Sequence, residues 1–132
     1  MERLSVRSER QTQLIEITRL VEGAASAFGD AAAALVYVPH TTAGVTINEN
    51  ADPAVAADFE TALRRLVEEN GGWQHVEGGA PNAASHIRTA LMGTQVLVPL
   101  DHGRLALGTW QGIFLVECDG PRARTVLVTP LA

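Results

Sequence analysis

Four histidines and one acidic cluster carry most of the chemistry this chain can offer. His40 closes the apolar run "AALVYVPH" and opens "HTTAGVTINEN", His75 lies in the glycine-rich "WQHVEGGAPN", His86 in "NAASHIRTALMG" and His102 in "LDHGR". An imidazole titrates near neutral pH and ligates transition metals through a neutral ring nitrogen, so this set suits proton transfer or metal-assisted chemistry. The spacing of positions 40, 75 and 86 matches no local metal signature such as H-E-x-x-H, so only the fold can bring those rings together. A hydrogen-bonded structural role is the alternative for a histidine at a strand end, and His102 reads as a solvated turn residue.

The second cluster is "TINENADP", which places Asn48, Glu49, Asn50 and Asp52 at a strand-to-helix junction. Asn50 and Asp52 read as turn and capping residues. Glu49 stands nine residues after His40, and a tight hairpin between them would let both reach one cavity. It is then placed to ligate or to take a proton; alternatively it serves only the N-terminus of the following helix. No Walker loop, dinucleotide-binding glycine fingerprint, nucleophile elbow or paired-cysteine motif is present. The single cysteine, Cys118, sits inside "GIFLVEC" with nothing nearby to activate it, and one thiol fits a reducing, cytoplasmic setting.

These residues need a scaffold, and 132 residues with 46% hydrophobic and 19% charged content are enough for one folded domain, residues 1–132. The net charge of −5 and the scattered basic residues argue against nucleic-acid binding, and no apolar run is long enough to span a membrane. Alternation predicts strands over "RLSVRSE" and "QLIEITR", followed by a short helix over "LVEGAASAFGD" that ends at Gly29. "AALVYVPH" reads as a strand buried on both faces, and "GVTINE" as its hairpin partner. Asp52 caps a helix whose apolar stripe is Val55, Phe59, Leu63, Leu66 and Val67. Residues 73–82 read as loop, and a short helix begins at Asn82 with Ile87 and Leu91 as its core stripe. "TQVLVPL", "GRLALG", "GIFLVECD" and "RTVLVTPL" close the chain as strands, the last two joined as a hairpin through "CDGPR". The expectation is an α+β protein, a mostly antiparallel β-sandwich with three short helices.

Three blocks in order, "HTTAGVTINENADP", "NAASHIRTALMG" and "GRLALGTWQGIFLVE", resemble the YjbQ family, described as secondary thiamine-phosphate synthases. The resemblance runs from about His40 to Glu117. It implies a homotrimer with a metal or active site at His40, His75 and His86, whereas His102 matches no such position. Of these, His40 and His86, with Glu49, are the candidate catalytic residues. It also implies joining of a hydroxymethylpyrimidine diphosphate to a thiazole phosphate with release of diphosphate, hence a small phosphorylated substrate. Zn²⁺ or Mg²⁺ is the divalent metal to consider, although three imidazoles favour the former and diphosphate chemistry the latter. Relatives often carry an acidic "DD" or "GD" where this chain has "APNAAS", and Glu77 is a candidate substitute. Trp110 on a glycine-bounded turn suits a pocket wall or subunit seam better than open solvent, so Asn48, Thr109, Trp110 and Gln111 are candidate substrate-binding residues. A turn whose tryptophan covers the core edge is the alternative. A metal-dependent hydrolase and a non-catalytic trimeric small-molecule binder are the competing functions.

Overall fold

The computed structural model describes all 132 residues. Its elements are β1 (Glu2–Arg7), β2 (Gln13–Glu16), α1 (Thr18–Ala25), β3 (Ala33–Tyr37), β4 (Ala43–Glu49), α2 (Pro53–Leu66), β5 (Val76–Glu77), β6 (Ala80–Pro81), α3 (Ala83–Met92), β7 (Gln95–Asp101), β8 (Arg104–Leu105), β9 (Gln111–Glu117) and β10 (Ala123–Leu131). A sheet of order β1-β10-β3-β7-β8 and a sheet of order β2-β9-β4 are antiparallel throughout. Between them lies a core of Val36, Val98, Val126 and Val128 from the first sheet and Val45, Ile113 and Leu115 from the second. These are mostly β-branched residues at alternate positions, each contributing roughly 1.5–3 kcal/mol by leaving water. Ile17 and Val21 bring α1 onto the same core. The α+β sandwich expected from the sequence is the one that forms.

Both hairpins expected through "HTTAG" and "CDGPR" are absent. β3 and β4 belong to different sheets, as do β9 and β10, and as do β1 and β2. The ladder of β1 with β10 continues as the ladder of β2 with β9, so one two-stranded ribbon bends over the sandwich edge and changes sheet. The bend stays paired through Ser8 N–H to the Arg122 carbonyl (2.9 Å) and Gly120 N–H to the Gln11 carbonyl (3.1 Å). The β3–β4 crossover joins the same corner, where Cys118 N–H donates to the Thr42 carbonyl (3.0 Å). Proximity in sequence suggested hairpins, but the inward faces of consecutive strands are better buried by placing the strands in opposite sheets. β3 accordingly buries only one face: Ala34 and Val36 are inside while Tyr37 is 40% exposed.

The helices also depart from the expected detail. α1 begins earlier, at Thr18, because Thr18 Oγ1 accepts from Ile113 N–H (2.9 Å) and ends β2 there. Asp52 caps α2 as expected, accepting from Ala54 N–H at 2.9 Å. Leu66, however, is exposed, and Glu60 is buried in the α2 face that packs on β2. Its carboxylate accepts from Leu14 N–H (3.3 Å) and pairs with Arg10 (2.8 Å), which satisfies a strand-edge donor. In α3 the buried face is Ala84, Ser85, Arg88 and Thr89, whereas Leu91 is exposed. Arg88 explains the rotation: its guanidinium donates to the Val67 carbonyl (3.0 Å from Nε) and pairs with Glu69 (2.8 Å), capping the end of α2. Residues 73–82 contain a small hairpin, β5–β6, turned by Gly78 and Gly79 with φ of 56° and 80°. His102 and Gly103 turn β7 into β8 with φ of 51° and 79°, so His102 is the exposed turn residue expected. No helix is long and apolar enough to cross a membrane.

Candidate functional site

The corner where the chain changes sheet supplies the electrostatics of the site. Glu117 and Arg124, both buried, form an ion pair with Arg124 Nε 2.8 Å from Glu117 Oε1. Ser8 Oγ donates to the same carboxylate at 2.6 Å, and Asp119 N–H donates at 3.0 Å. Arg124 Nη2 donates onward to the Thr42 carbonyl (3.1 Å) and hydroxyl (2.9 Å). Burial alone would raise the Glu117 pKa, but the hydrogen bonds from Arg124 and Ser8 outweigh it and hold the carboxyl below its usual range. A charged residue inside "GIFLVEC" opposite another in "RARTVLV" is the sequence signal for this pair, and reading by apolar runs passes over it.

His40 leaves this corner toward a cleft. Its Nε2 accepts the backbone N–H of Thr125 at 3.0 Å. Burial, with the Arg124 charge reinforcing it and Glu117 opposing, lowers its pKa, so the ring is held neutral. His40, Thr41, His86, Thr89, Ala90 and Thr94 line a cleft of about 280 Å³. His86 also walls a neighbouring cleft of about 340 Å³ with His75, Ala83 and Ile87. The His75 and His86 rings meet edge to face, their centroids 5.0 Å apart at 82°. α3 holds His86 in place through Ser85 Oγ, which donates to the Cys118 carbonyl at 2.6 Å. His86 Nε2 is buried with no hydrogen-bond partner, whereas the Thr89 hydroxyl lies beside the Cys118 thiol, which it can hydrogen-bond. Such an atom is costly unless something completes it, and His86 belongs to the wall of both clefts.

His86 is thus the junction of the three candidate histidines, adjacent to His75 on one side and sharing a cleft with His40 on the other. The three do not form a ready-made metal centre within the chain, which holds no group of three His, Cys, Asp or Glu side chains arranged for an ion. His75 and His86 are the imidazole pair left for a transition metal, since His40 Nε2 is engaged by Thr125.

Asn48, Glu49, Thr109, Trp110 and Gln111 gather elsewhere. β4 runs seven residues from Ala43 to Glu49, roughly 20 Å of extended chain. His40 precedes one end, and Glu49 closes the other opposite Gln111. The absent hairpin was the reason to expect them in one cavity. Within one chain Glu49 therefore does not join His40. Glu49 Oε2 is buried without a partner, and Asn48 Oδ1 accepts from Glu49 N–H at 2.8 Å. The "GTWQ" turn closes on itself, with Gly108 N–H donating to Gln111 Oε1 (2.8 Å) and Gln111 N–H to the Gly108 carbonyl (3.1 Å). Gly112 is required beneath it: a Cβ there would lie 2.8 Å from Asn50 Cβ and from Glu16 Oε2. Trp110 is 64% exposed, so it does not cover the core edge.

The sequence profile of the YjbQ-like UPF0047 family matches residues 2–132. The UPF0047 protein YugU of Bacillus subtilis is 44% identical over 131 residues, covering 95% of this chain and 94% of that protein. A UPF0047 protein of Methanocaldococcus jannaschii is 41% identical over 93% of this chain and 88% of its own length. Among solved structures, a YjbQ/UPF0047 protein from Clostridium acetobutylicum superposes with a TM-score of 0.92 at 42% identity, covering 99% of this chain and 100% of that one. A hypothetical protein from Aeropyrum pernix gives a TM-score of 0.91 at 39% identity, covering 99% of this chain and 97% of that one. With three helices on two antiparallel sheets and a profile match across the whole fold, this chain belongs to the YjbQ/UPF0047 family.

Proposed function

We propose that the cleft around His86 is an active site for a small phosphorylated substrate, and that the reaction is of the thiamine-phosphate synthase type. The observation that carries this reading is the buried, unpartnered His86 Nε2 in the wall of the cleft that His86 shares with His40. In the reaction the thiazole nitrogen attacks the pyrimidine methylene, a C–N bond forms, and the C–O bond to diphosphate breaks with its electrons leaving on oxygen. No proton need be removed from the nucleophile, so the task is to stabilise charge on the departing diphosphate. The hydroxyls of Thr41, Thr89 and Thr94 and the ring N–H groups of His86 and His40 are the donors available in that cleft. The Thr125 N–H on His40 Nε2 leaves its proton on Nδ1 in the neutral ring. No step is assigned to a metal, because the chain alone provides two free imidazoles rather than three.

Assembly completes the reading. Tyr37, Leu97 and Trp110 are large apolar side chains left exposed, at 40%, 56% and 64%. Leu35 lies beside Leu97 across the β3–β7 ladder, and Trp110 lies at the Glu49 end of the other sheet; these are apolar surfaces that a homotrimer would cover. In that trimer the Asn48, Glu49, Thr109, Trp110 and Gln111 end of one copy lies at a subunit seam.

The test is formation of thiamine phosphate from the two phosphorylated halves by purified wild-type, His86→Gln and Thr89→Val proteins. His86→Gln should lower turnover about 10²–10³-fold, the range for loss of one donor that stabilises developing charge, with the melting temperature retained. Wild-type turnover in His86→Gln would end the proposal.

A further inference from the structure

Resting on the active-site reading above, we infer that the His40–His86 cleft is completed by a second copy of this chain, which sets its Glu49 at the mouth. Within one chain the cleft is chemically one-sided. Its polar residues are His40, Thr41, His86, Thr89 and Thr94, with no Lys, Arg, Asp or Glu among them. Neutral donors alone match a departing diphosphate poorly, because the charge that develops on it calls for a cation. An imidazole becomes that cation when a carboxylate stands beside it. No carboxylate of the same chain lines the cleft, and His86 Nε2 has no partner.

Glu49, at the far end of β4, has the complementary lack: its Oε2 is bonded to nothing. The means of docking stands beside it. The Trp110 carbonyl accepts from Asn50 N–H at 3.0 Å, and Glu49 pairs with Gln111 across the β4–β9 ladder. Indole and carboxylate thus ride on one turn, itself closed by the Gly108–Gln111 hydrogen bonds. A rigidly held, exposed tryptophan is the kind of side chain that anchors a protein interface. A matching surface flanks the cleft. Leu35, Tyr37, Leu97 and Leu127 project from the outer face of the first sheet, where Tyr37 faces Leu127 in one ladder and Leu35 faces Leu97 in the next. That face ends at the cleft, since Val38 N–H donates to the carbonyl of Thr94 at 2.8 Å and His40 follows Tyr37 by three residues. With Trp110 of one copy seated there, its Glu49 meets His86 of the next, carboxyl and imidazole both turned to the seam. Anchor and receiving face are different patches, so the contact is heterologous and the copies close head to tail as a ring. Glu49 is then a positioning residue: it holds His86 protonated and oriented toward the diphosphate of the neighbouring copy's substrate.

Subunit complementation tests this. His86→Gln and Glu49→Gln copies, each with its own affinity tag, are co-expressed, and assemblies carrying both tags are purified. Each variant alone should lose about 10²-fold or more of its thiamine-phosphate synthesis, chiefly in kcat. A hybrid ring of three holds one seam at which both residues are intact, so it should recover about one third of wild-type turnover. A site contained within one chain predicts no recovery, because every chain in the hybrid carries one of the two lesions. A second readout needs no activity: co-expressed Glu49→Cys and His86→Cys copies should be joined by a short thiol–thiol crosslinker into a covalent dimer that neither variant forms alone, the native Cys118 being buried. Trp110→Arg should give monomers by light scattering. If wild type forms no thiamine phosphate, the reading of the reaction fails and the crosslink alone decides the contact. Hybrids as inactive as their parents, no crosslink specific to the mixture, or an undisturbed assembly in Trp110→Arg would each overturn the inference.

Discussion

Replacing Glu117 by Gln tests whether the buried corner network ties the two sheets together. Glu117 has no exposed surface and accepts from Ser8, Arg124 and Asp119 N–H. Glutamine keeps the shape but turns an amide NH₂ toward Arg124, which is itself only 4% exposed. Arg124 is then a buried cation without a counter-ion, a defect worth about 3–5 kcal/mol. For a chain of this length each kcal/mol moves the melting temperature by roughly 3–5 °C, so the fall should be about 10–20 °C. Arg124→Met should destabilise less, because the stranded carboxyl can take up a proton. The double variant Glu117→Gln/Arg124→Met removes both charges and should be more stable than Glu117→Gln alone, although the Thr42 carbonyl loses a partner. Urea and thermal unfolding at one fixed protein concentration measure this, since assembly adds to apparent stability. A loss below about 1 kcal/mol in Glu117→Gln, or a coupling energy below about 0.5 kcal/mol in the Glu117–Arg124 cycle, would refute the reasoning.

Acid should act on the chain in two stages. The folded state lowers the His40 pKa, so the unfolded chain binds that proton first; stability is full above about pH 6.5 and declines below it until the lowered folded value is passed. Glu117, also lowered, adds stability above the usual carboxylate range that is lost as pH falls through its folded value. His40→Gln should remove the first decline from a melting-temperature profile of metal-free protein and leave the second. Gly44→Ala would set a Cβ 2.3 Å from the Gly93 carbonyl oxygen, against backbone that ends α3; overpacking of this kind costs about 1–3 kcal/mol, read by denaturant unfolding. Light scattering should give about three times the 14.0 kDa chain mass; a stable monomer at micromolar concentration ends the trimer. Glu49→Gln should then lower turnover through the seam while leaving the His86 cleft intact, and full activity would assign Glu49 to the α2 N-terminus alone.

The fold was legible wherever one periodicity decided it. Alternation marked β1 and β2, and Asp52 followed by Pro53 marked the start of α2. Pairing was not legible, because a strand states which residues are inward but not which sheet receives them. "HTTAG" and "CDGPR" have the composition of turns, and serve equally as crossovers between sheets. α3 shows the same limit: Ile87 and Leu91 make an apolar stripe, yet the buried face follows Arg88, whose hydrogen bonds to the end of α2 fix the rotation of the helix. Partners distant in sequence decide such cases. Of the site, the sequence named the histidines but missed Thr89 and the Glu117–Arg124 pair, which look like ordinary helix and strand residues until their neighbours are known.

The crossovers have a consequence for how the site is held. Had β3 and β4 been a hairpin, His40 would sit beside a tight turn whose position depended on that turn alone. Instead its segment is fixed from both flanks, by Thr42 accepting from Cys118 N–H and Arg124, and by Thr125 N–H on the ring itself. Cys118 also receives Ser85 at its carbonyl, so α3 and the His40 crossover are anchored on the same residue. A shift of β9 at this corner must therefore move His40 and His86 together, which preserves their mutual geometry. The His75 hairpin has no comparable tie: β5 and β6 pair only with each other and are exposed. Its side-chain links to the rest of the corner are the edge-to-face contact of His75 with His86 and the bonds of Glu77 to Asn82 and Arg122. His75 is thus positioned by its contact with His86 and by Glu77, while His40 and His86 are held by the sandwich itself.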